Sequence, residues 1–176
     1  MLYIVEMALA EGHTDADWNQ WTTEMKSAEL LMTVPGFLSA QRFKGITDPL
    51  AYCAVYGIRD AGVMSGPAYK GVGGGVRVQQ WNSHITYWNR DILQGISVPP
   101  CVADGYALVV RNAESFDFAD GGVPFVRLRV TGLNQSVPFK GIAVLPEEEA
   151  MRVAGKDAGI RLYRPIAPQL VDLTDR

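Results

Sequence analysis

Val34-Pro35-Gly36-Phe37-Leu38-Ser39-Ala40-Gln41-Arg42-Phe43-Lys44, then Gly45-Ile46-Thr47-Asp48-Pro49, then Leu50-Ala51-Tyr52-Cys53-Ala54-Val55-Tyr56-Gly57-Ile58 reads as helix stop, strand, turn and strand. Proline cannot continue a helical ladder, and glycine supplies the turn that follows it. The two runs after it are rich in β-forming residues and are divided by turn chemistry, so Phe37 to Lys44 and Leu50 to Ile58 pair as an antiparallel hairpin.

Upstream, residues 2 to 9 alternate: Tyr3, Val5 and Met7 on one side, Leu2, Ile4, Glu6 and Ala8 on the other. That pattern is a strand with one ionisable residue on an otherwise apolar face. Thr14 and Asp17 have capping-box spacing and introduce Trp18, Trp21, Met25, Ala28 and Met32 at helical intervals, which predicts one helix over about 15 to 33. Downstream, a short helix is expected near Ala61 to Tyr69, then a glycine-rich break at Gly71, Gly73, Gly74 and Gly75, then a strand from Ser83 to Leu93. The order β-α-β-β-α-β is the split βαβ pattern of a ferredoxin-like domain. Such a sheet carries helices on one face and needs cover on the other.

After Pro99-Pro100 a related order recurs: strand Gly105 to Val110, hairpin Val123 to Leu133 with Val137 to Leu145, helix Glu147 to Ala154, strand Ile160 to Pro165. The first helix of this series is reduced to a loop around Ala113 to Gly121, and Pro146 with three glutamates opens the second, acidic side chains at the positive end of the dipole. The fold expected is therefore α+β: a ferredoxin-like half over residues 1–98 and a degenerate second half over 99–176, forming an α/β barrel within one chain.

Composition narrows the function classes. The 176 residues carry a net charge of −3 and no basic stripe, so neither nucleic acid nor an anionic membrane is expected as a partner. No apolar run approaches the roughly 18 residues of a membrane span. The N-terminus carries Glu6 within its apolar run and does not read as a signal peptide. With two cysteines in apolar surroundings, Cys53 and Cys101, a reducing cytoplasm is the expected location and both thiols are expected as small buried hydrophobes. Neither metal-ligand spacing nor a nucleophile motif occurs.

The stretch Trp18-Asn19-Gln20-Trp21, Glu29-Leu30-Leu31, Val34-Pro35-Gly36-Phe37, Ala40-Gln41-Arg42-Phe43, Tyr52-Cys53-Ala54-Val55-Tyr56, with Ser65-Gly66-Pro67-Ala68-Tyr69 and Trp81, resembles the dimeric α+β barrel superfamily. The resemblance implies a small-molecule pocket. It covers cofactor-free monooxygenases, muconolactone-type isomerases, polyketide cyclases and haem-dependent aldoxime dehydratases, so it does not fix a reaction. Many relatives have a histidine in the first helix, whereas Lys26 stands at the matching position here, which sets this chain apart from histidine-based mechanisms.

Three residues are candidate catalysts. Glu6, between Ile4 and Ala8, points into a barrel if its neighbours Tyr3, Val5 and Met7 pack on helices; it is either a general acid-base group there, or the partner of an arginine, or a carboxylate emerging at an open sheet edge. His84, at the start of the fourth strand, is either a proton shuttle or hydrogen-bonded structure, and His13 reads as a surface residue. Arg42 could steady an oxyanion, and Arg90, Arg127 and Arg129 also fall in strands, where an inward face would let them hold an acid and an outward face would leave them solvated. Arg127 is the candidate substrate ligand among these.

Tyr52, Tyr69, Trp81 and Trp88 are candidate pocket walls within an aromatic set that also includes Tyr56 and Tyr87, most of it serving as core. The glycines from 71 to 75 lack the Lys-Ser/Thr of a phosphate loop and read as a lid or bulge. The expected function is a cofactor-independent lyase or isomerase acting on a small aromatic or ring-cleavage-derived acid, as in aromatic-compound catabolism. The alternatives are a cofactor-free oxygenase of phenols and a non-catalytic binder of apolar metabolites. No axial histidine for haem is evident, and pairing of outer strand edges into a homodimer stays open.

Overall fold

The computed structural model describes residues 1–12, 15–24, 27–72 and 83–172. The elements are β1 (Leu2–Leu9), α1 (Asp15–Glu24), α2 (Ser27–Leu31), β2 (Phe37–Gly45), β3 (Ala51–Ile58), a 3₁₀ turn (Ala61–Ser65) and α3 (Pro67–Val72). They continue with β4 (Ile85–Gln94), β5 (Tyr106–Ala113), β6 (Val126–Leu133), β7 (Phe139–Pro146), α4 (Glu147–Ala154), β8 (Ile160–Pro165) and β9 (Leu170–Val171).

The strands hydrogen-bond in the order β3-β1-β4-β6-β7-β5-β8-β2, and β2 returns to β3, which closes an eight-stranded antiparallel barrel. The halves of the chain are thus hydrogen-bonded to each other along two seams, β4 to β6 and β8 to β2, and do not merely face one another. β9 adds to the same side of β2 as β8, pairing Ser39 and Ala40 where β8 pairs Phe43 to Gly45. Closure leaves few free strand edges, which the sequence alone cannot display.

Alternation along each strand separates two cores. Leu2, Ile4, Phe43, Cys53, Val55, Leu108, Val110, Leu128 and Ile142 fill the barrel interior. Outside it, Tyr3, Phe37, Ala40, Tyr56 and Ile58 of the first four strands pack against Ala28, Leu31 and Tyr69 from the helices. The outer face of β5, β7 and β8 is covered by Ala150 of α4 and by Val123 and Phe125 of the loop before β6. The described residues between β5 and β6 hold no helix, in line with the reduced connection read from the sequence.

Several local expectations shift. The helix expected over 15 to 33 is two helices, α1 and α2, with residues 25 and 26 outside the described set. Trp18 is buried beside Met7, Leu9 and Tyr52, while Trp21 is half-buried. Gly36 has φ of +96° and lies against Val63, so a side chain there meets both strain and a clash, which explains the Pro-Gly stop. Cys53 is buried as expected, but Cys101 is exposed because it lies in the Pro-rich connection before β5 and not in a strand. Residues 73–75 of the glycine run, and Trp81, fall outside the described residues. No described helix is long and apolar enough to cross a membrane.

Trp18 anchors α1 on the sheet, so Trp18→Ala is expected to cost about 3–5 kcal/mol through the cavity it leaves, with a smaller loss for half-buried Trp21→Ala. Urea unfolding of both variants checks the order.

Candidate active site

On the outer face of the first four strands, register sets three parallel rows of side chains. One row runs Ala40, Tyr56, Tyr3, Ile92; the next Arg42, Ala54, Val5, Arg90; the third Lys44, Tyr52, Met7, Trp88. The middle row is low in its centre, since alanine and valine stand between taller aromatic rows. The helices lie over this trough, and between helices and sheet there is a cavity of about 100 Å³. Its walls include Tyr3, Tyr52, Tyr56, Tyr69 and Trp88, its floor Val5 and Ala54, and its roof Trp18, Trp21, Thr22, Leu30 and Leu31.

The polar groups in this apolar space are few. Arg42 donates through an Nη to Thr22 Oγ1 at 2.6 Å, and among the described residues no carboxylate lies within ion-pair distance of it. Burial pushes its pKa below the ordinary arginine value, an effect partly offset by Tyr56, Glu29 and Tyr52. The Tyr3 and Tyr69 hydroxyls lie 3.2 Å apart as a hydrogen-bonded pair. Burial raises the pKa of Tyr3, Tyr52 and Tyr56, so their hydroxyls remain protonated donors at neutral pH. The Cys53 thiol is likewise pushed well up by burial and then by Glu6, which keeps it un-ionised. The cavity therefore presents flat aromatic surfaces, hydroxyl donors and one cation with no carboxylate within ion-pair distance among the described residues.

Glu6 lies on the other side of the sheet. Its carboxylate is fully buried inside the barrel, where Lys140 Nζ donates to Oε2 at 2.9 Å and Tyr163 donates to Oε1 at 2.9 Å. An Arg161 Nη lies 3.1 Å from Oε1. Lys140 Nζ also donates to Asn112 Oδ1 at 2.7 Å and lies 3.3 Å from Asp91 Oδ2, which in turn accepts from Asn89 at 2.6 Å. Two carboxylates and two cations balance in charge. Burial raises the Tyr163 pKa, with Glu6 adding to the shift. Burial alone would lower Arg161, but Glu6, Tyr163 and Tyr87 outweigh it and hold Arg161 above its ordinary value.

The structure thus brings together Arg42, Tyr52, Tyr69 and Trp88 from among the candidate residues and leaves three others elsewhere. Glu6 faces inward as alternation indicates, but into an ion cluster separated from the cavity by the thickness of the sheet. His84 is half-buried just before β4 and its carbonyl accepts from the Ala10 amide, away from the cavity. Arg127 is on the outer face of β6, where it stacks over Phe118, donates to the Phe118 carbonyl and lies 3.7 Å from Asp120, so its cation is already occupied. Thr22 and Lys140 were not singled out from the sequence. Thr22 stands four residues after Trp18 on the same helix, and Lys140 shares the inward parity of Ile142, so spacing held a signal for both. Among the described residues no group of three or more His, Cys, Asp or Glu could hold a metal ion.

No protein-family model matches the chain, and none of the curated proteins matches it. Solved structures do. An anthrone oxidase-like protein superposes with a TM-score of 0.62 at 11% identity, over 97% of this chain and 92% of that one. A chlorite dismutase-like protein superposes with a TM-score of 0.54 at 15% identity, over 94% and 95% of the two chains. At these identities the shared property is the barrel fold.

Removing one partner of the interior cluster strands buried charge. Lys140→Met is expected to cost about 3–5 kcal/mol of stability and to leave ligand affinity in the outer cavity unchanged per folded molecule. Chemical unfolding, paired with ligand titration of the folded fraction, checks both halves of that expectation.

Proposed function

We propose that the cavity beneath α1, α2 and α3 binds a small, flat, electron-rich aromatic molecule through an anionic oxygen, and that the reaction is cofactor-independent oxygenation of a phenol. The observation that carries this reading is Arg42, a half-buried cation with no carboxylate partner among the described residues, set in an aromatic-walled space. A phenolate or enolate oxygen at Arg42 is stabilised by a charge-assisted hydrogen bond in a low-dielectric site. Ionisation makes the ring electron-rich enough to reduce dioxygen. With a free para carbon, the products are a quinone and one water per dioxygen: one oxygen atom becomes the new carbonyl and the other leaves as water.

The lyase or isomerase expectation needs a proton carrier beside the substrate, and no carboxylate or imidazole is among the described residues lining the cavity. The oxygenase reading asks less, since the phenolic proton leaves to solvent and the cation holds the charge. The fold shared with an anthrone oxidase-like protein agrees with this choice without carrying it. A second reading, binding without turnover, is favoured by the same lack of a lining proton carrier.

The strand order also supports an internal origin for the barrel. β2-β3-β1-β4 and β6-β7-β5-β8 follow the same sequence of first, second, third and fourth strands. We therefore propose residues 1–98 and 99–176 as two ferredoxin-like halves, the second lacking its first helix, paired within one chain.

Oxygen uptake with 1-naphthol and anthrone as probes, each of which has a free para position in its phenol form, tests the activity. Arg42→Gln is expected to lower turnover by about 100-fold or more. Binding of the probes without oxygen uptake by the wild type would transfer the site to the binding reading, and uptake indifferent to Arg42→Gln would reject the oxyanion role.

A further inference from the structure

Arg90 is the second guanidinium on the low middle row, directly beside Val5 as Arg42 is beside Ala54. Three strand spacings separate the two arginines, roughly 14 Å between their backbones at about 4.8 Å per spacing. Asp91 turns into the barrel, where it joins the ion cluster, so Arg90 turns outward to the helix side. Its main chain is held to Asn134 by two bonds, Arg90 N–H to Asn134 Oδ1 at 3.2 Å and Asn134 N–H to the Arg90 carbonyl at 2.9 Å. Among the described residues its side chain has no such tie. The Nε is buried without a hydrogen-bond partner, and among the described residues no carboxylate lies within ion-pair distance. Its charge works against the rise that burial causes in the Tyr3 pKa, and Arg90 stands diagonally from Tyr3 across the pairing of β1 with β4.

The other strand arginines are engaged, Arg129 by stacking over the Phe139 ring and the rest in ion pairs. Arg111 pairs with Asp157, Arg127 with Asp120, Arg161 with Glu6 and Arg164 with Glu147. Arg42 and Arg90 share one row and lack such partners, with small side chains between them and aromatic rows on both sides. A half-buried guanidinium gains a charge-assisted hydrogen bond when an anion reaches it. A single anionic oxygen answers one of the two.

We infer that the natural ligand of this cavity is a flat aromatic dianion with acidic oxygens at opposite ends, one held by Arg42 and the other by Arg90. Arg90 is then a specificity residue that selects two-ended acids, including carboxylated phenols, over neutral or one-ended rings. This rests on the reading of the cavity as an aromatic-anion site and adds the far end of the ligand. On the middle row the enclosed volume reaches Val5, and on β4 it touches Trp88 and not Arg90, so the second anionic group extends past Val5 to reach Arg90.

Three probes separate the cases by calorimetric titration of the full chain: 2-naphthoate, naphthalene-2,6-dicarboxylate with its charges at opposite ends, and naphthalene-2,3-dicarboxylate with the same charge at one end. The 2,6-dicarboxylate is expected to bind about tenfold or more tighter than both others, the worth of one added charge-assisted hydrogen bond. Arg90→Gln is expected to erase that advantage while 2-naphthoate, which reaches only Arg42, is held as before; Arg90→Lys keeps part of it. Equal binding of the two dicarboxylates to the wild type overturns the inference without recourse to any variant. If 2-naphthoate binds, is lost in Arg42→Gln, and the 2,6-dicarboxylate shows no preference, the two-ended ligand falls and the anion site stands. If no probe binds, or binding ignores Arg42→Gln, the anion site falls and the two-ended ligand with it.

Discussion

The contact between Lys140 and Glu6 joins β7 to β1 across the barrel interior, over a sequence separation of 134 residues. Both groups are fully buried, and such charges are tolerated only when every donor and acceptor is answered. Here Lys140 finds Glu6, Asp91 and Asn112, and Glu6 finds Lys140, Arg161 and Tyr163. The residues come from β1, β4, β5, β7 and β8, so the cluster is satisfied only when those strands close the ring in this register. A slip of one residue in β1 would turn Glu6 outward and leave Lys140 without its partner.

That same register fixes the outer face. With Glu6 and Ile4 inside, Tyr3, Val5 and Met7 must point to the helices, and the pairings of β1 with β3 and β4 then place Ala54 and Arg90 beside Val5. The trough and the ion cluster are thus opposite faces of one arrangement. The interior holds its charges in mutual compensation, whereas the outer row holds two cations without described carboxylate partners.

Local alternation in the sequence was enough to place Glu6 inward and to place the hairpin of β2 and β3. It could not say what Glu6 meets, because Lys140 reaches it only through closure of β4 on β6 and β8 on β2, two seams with no local sequence signature. Arg42 was legible as a strand arginine in an aromatic neighbourhood, but its outward direction depends on the irregular pairing between Phe37 and Ser39. The contacts of Arg127 were not legible for a related reason: Phe118 and Asp120, which meet it, lie in a loop whose path alternation does not describe. The place of His84 just before β4 was legible, but strand alternation does not say what its side chain meets.

The position of the cavity has a consequence for how it can be entered. A site within the barrel has no room, because the interior is already filled by apolar side chains and the ion cluster. A site between sheet and helices asks only that short helices shift. α2 has five residues and α3 six, lengths at which helices owe their stability to packing and not to their own ladders. The rigid wall then carries the groups that must not move, Arg42, Tyr3, Tyr52 and Tyr56 on hydrogen-bonded strands, while the roof of Thr22, Leu30 and Leu31 is carried by the elements that can yield. Precision of the charged and aromatic groups and access for a ligand are thereby assigned to different layers of the same fold.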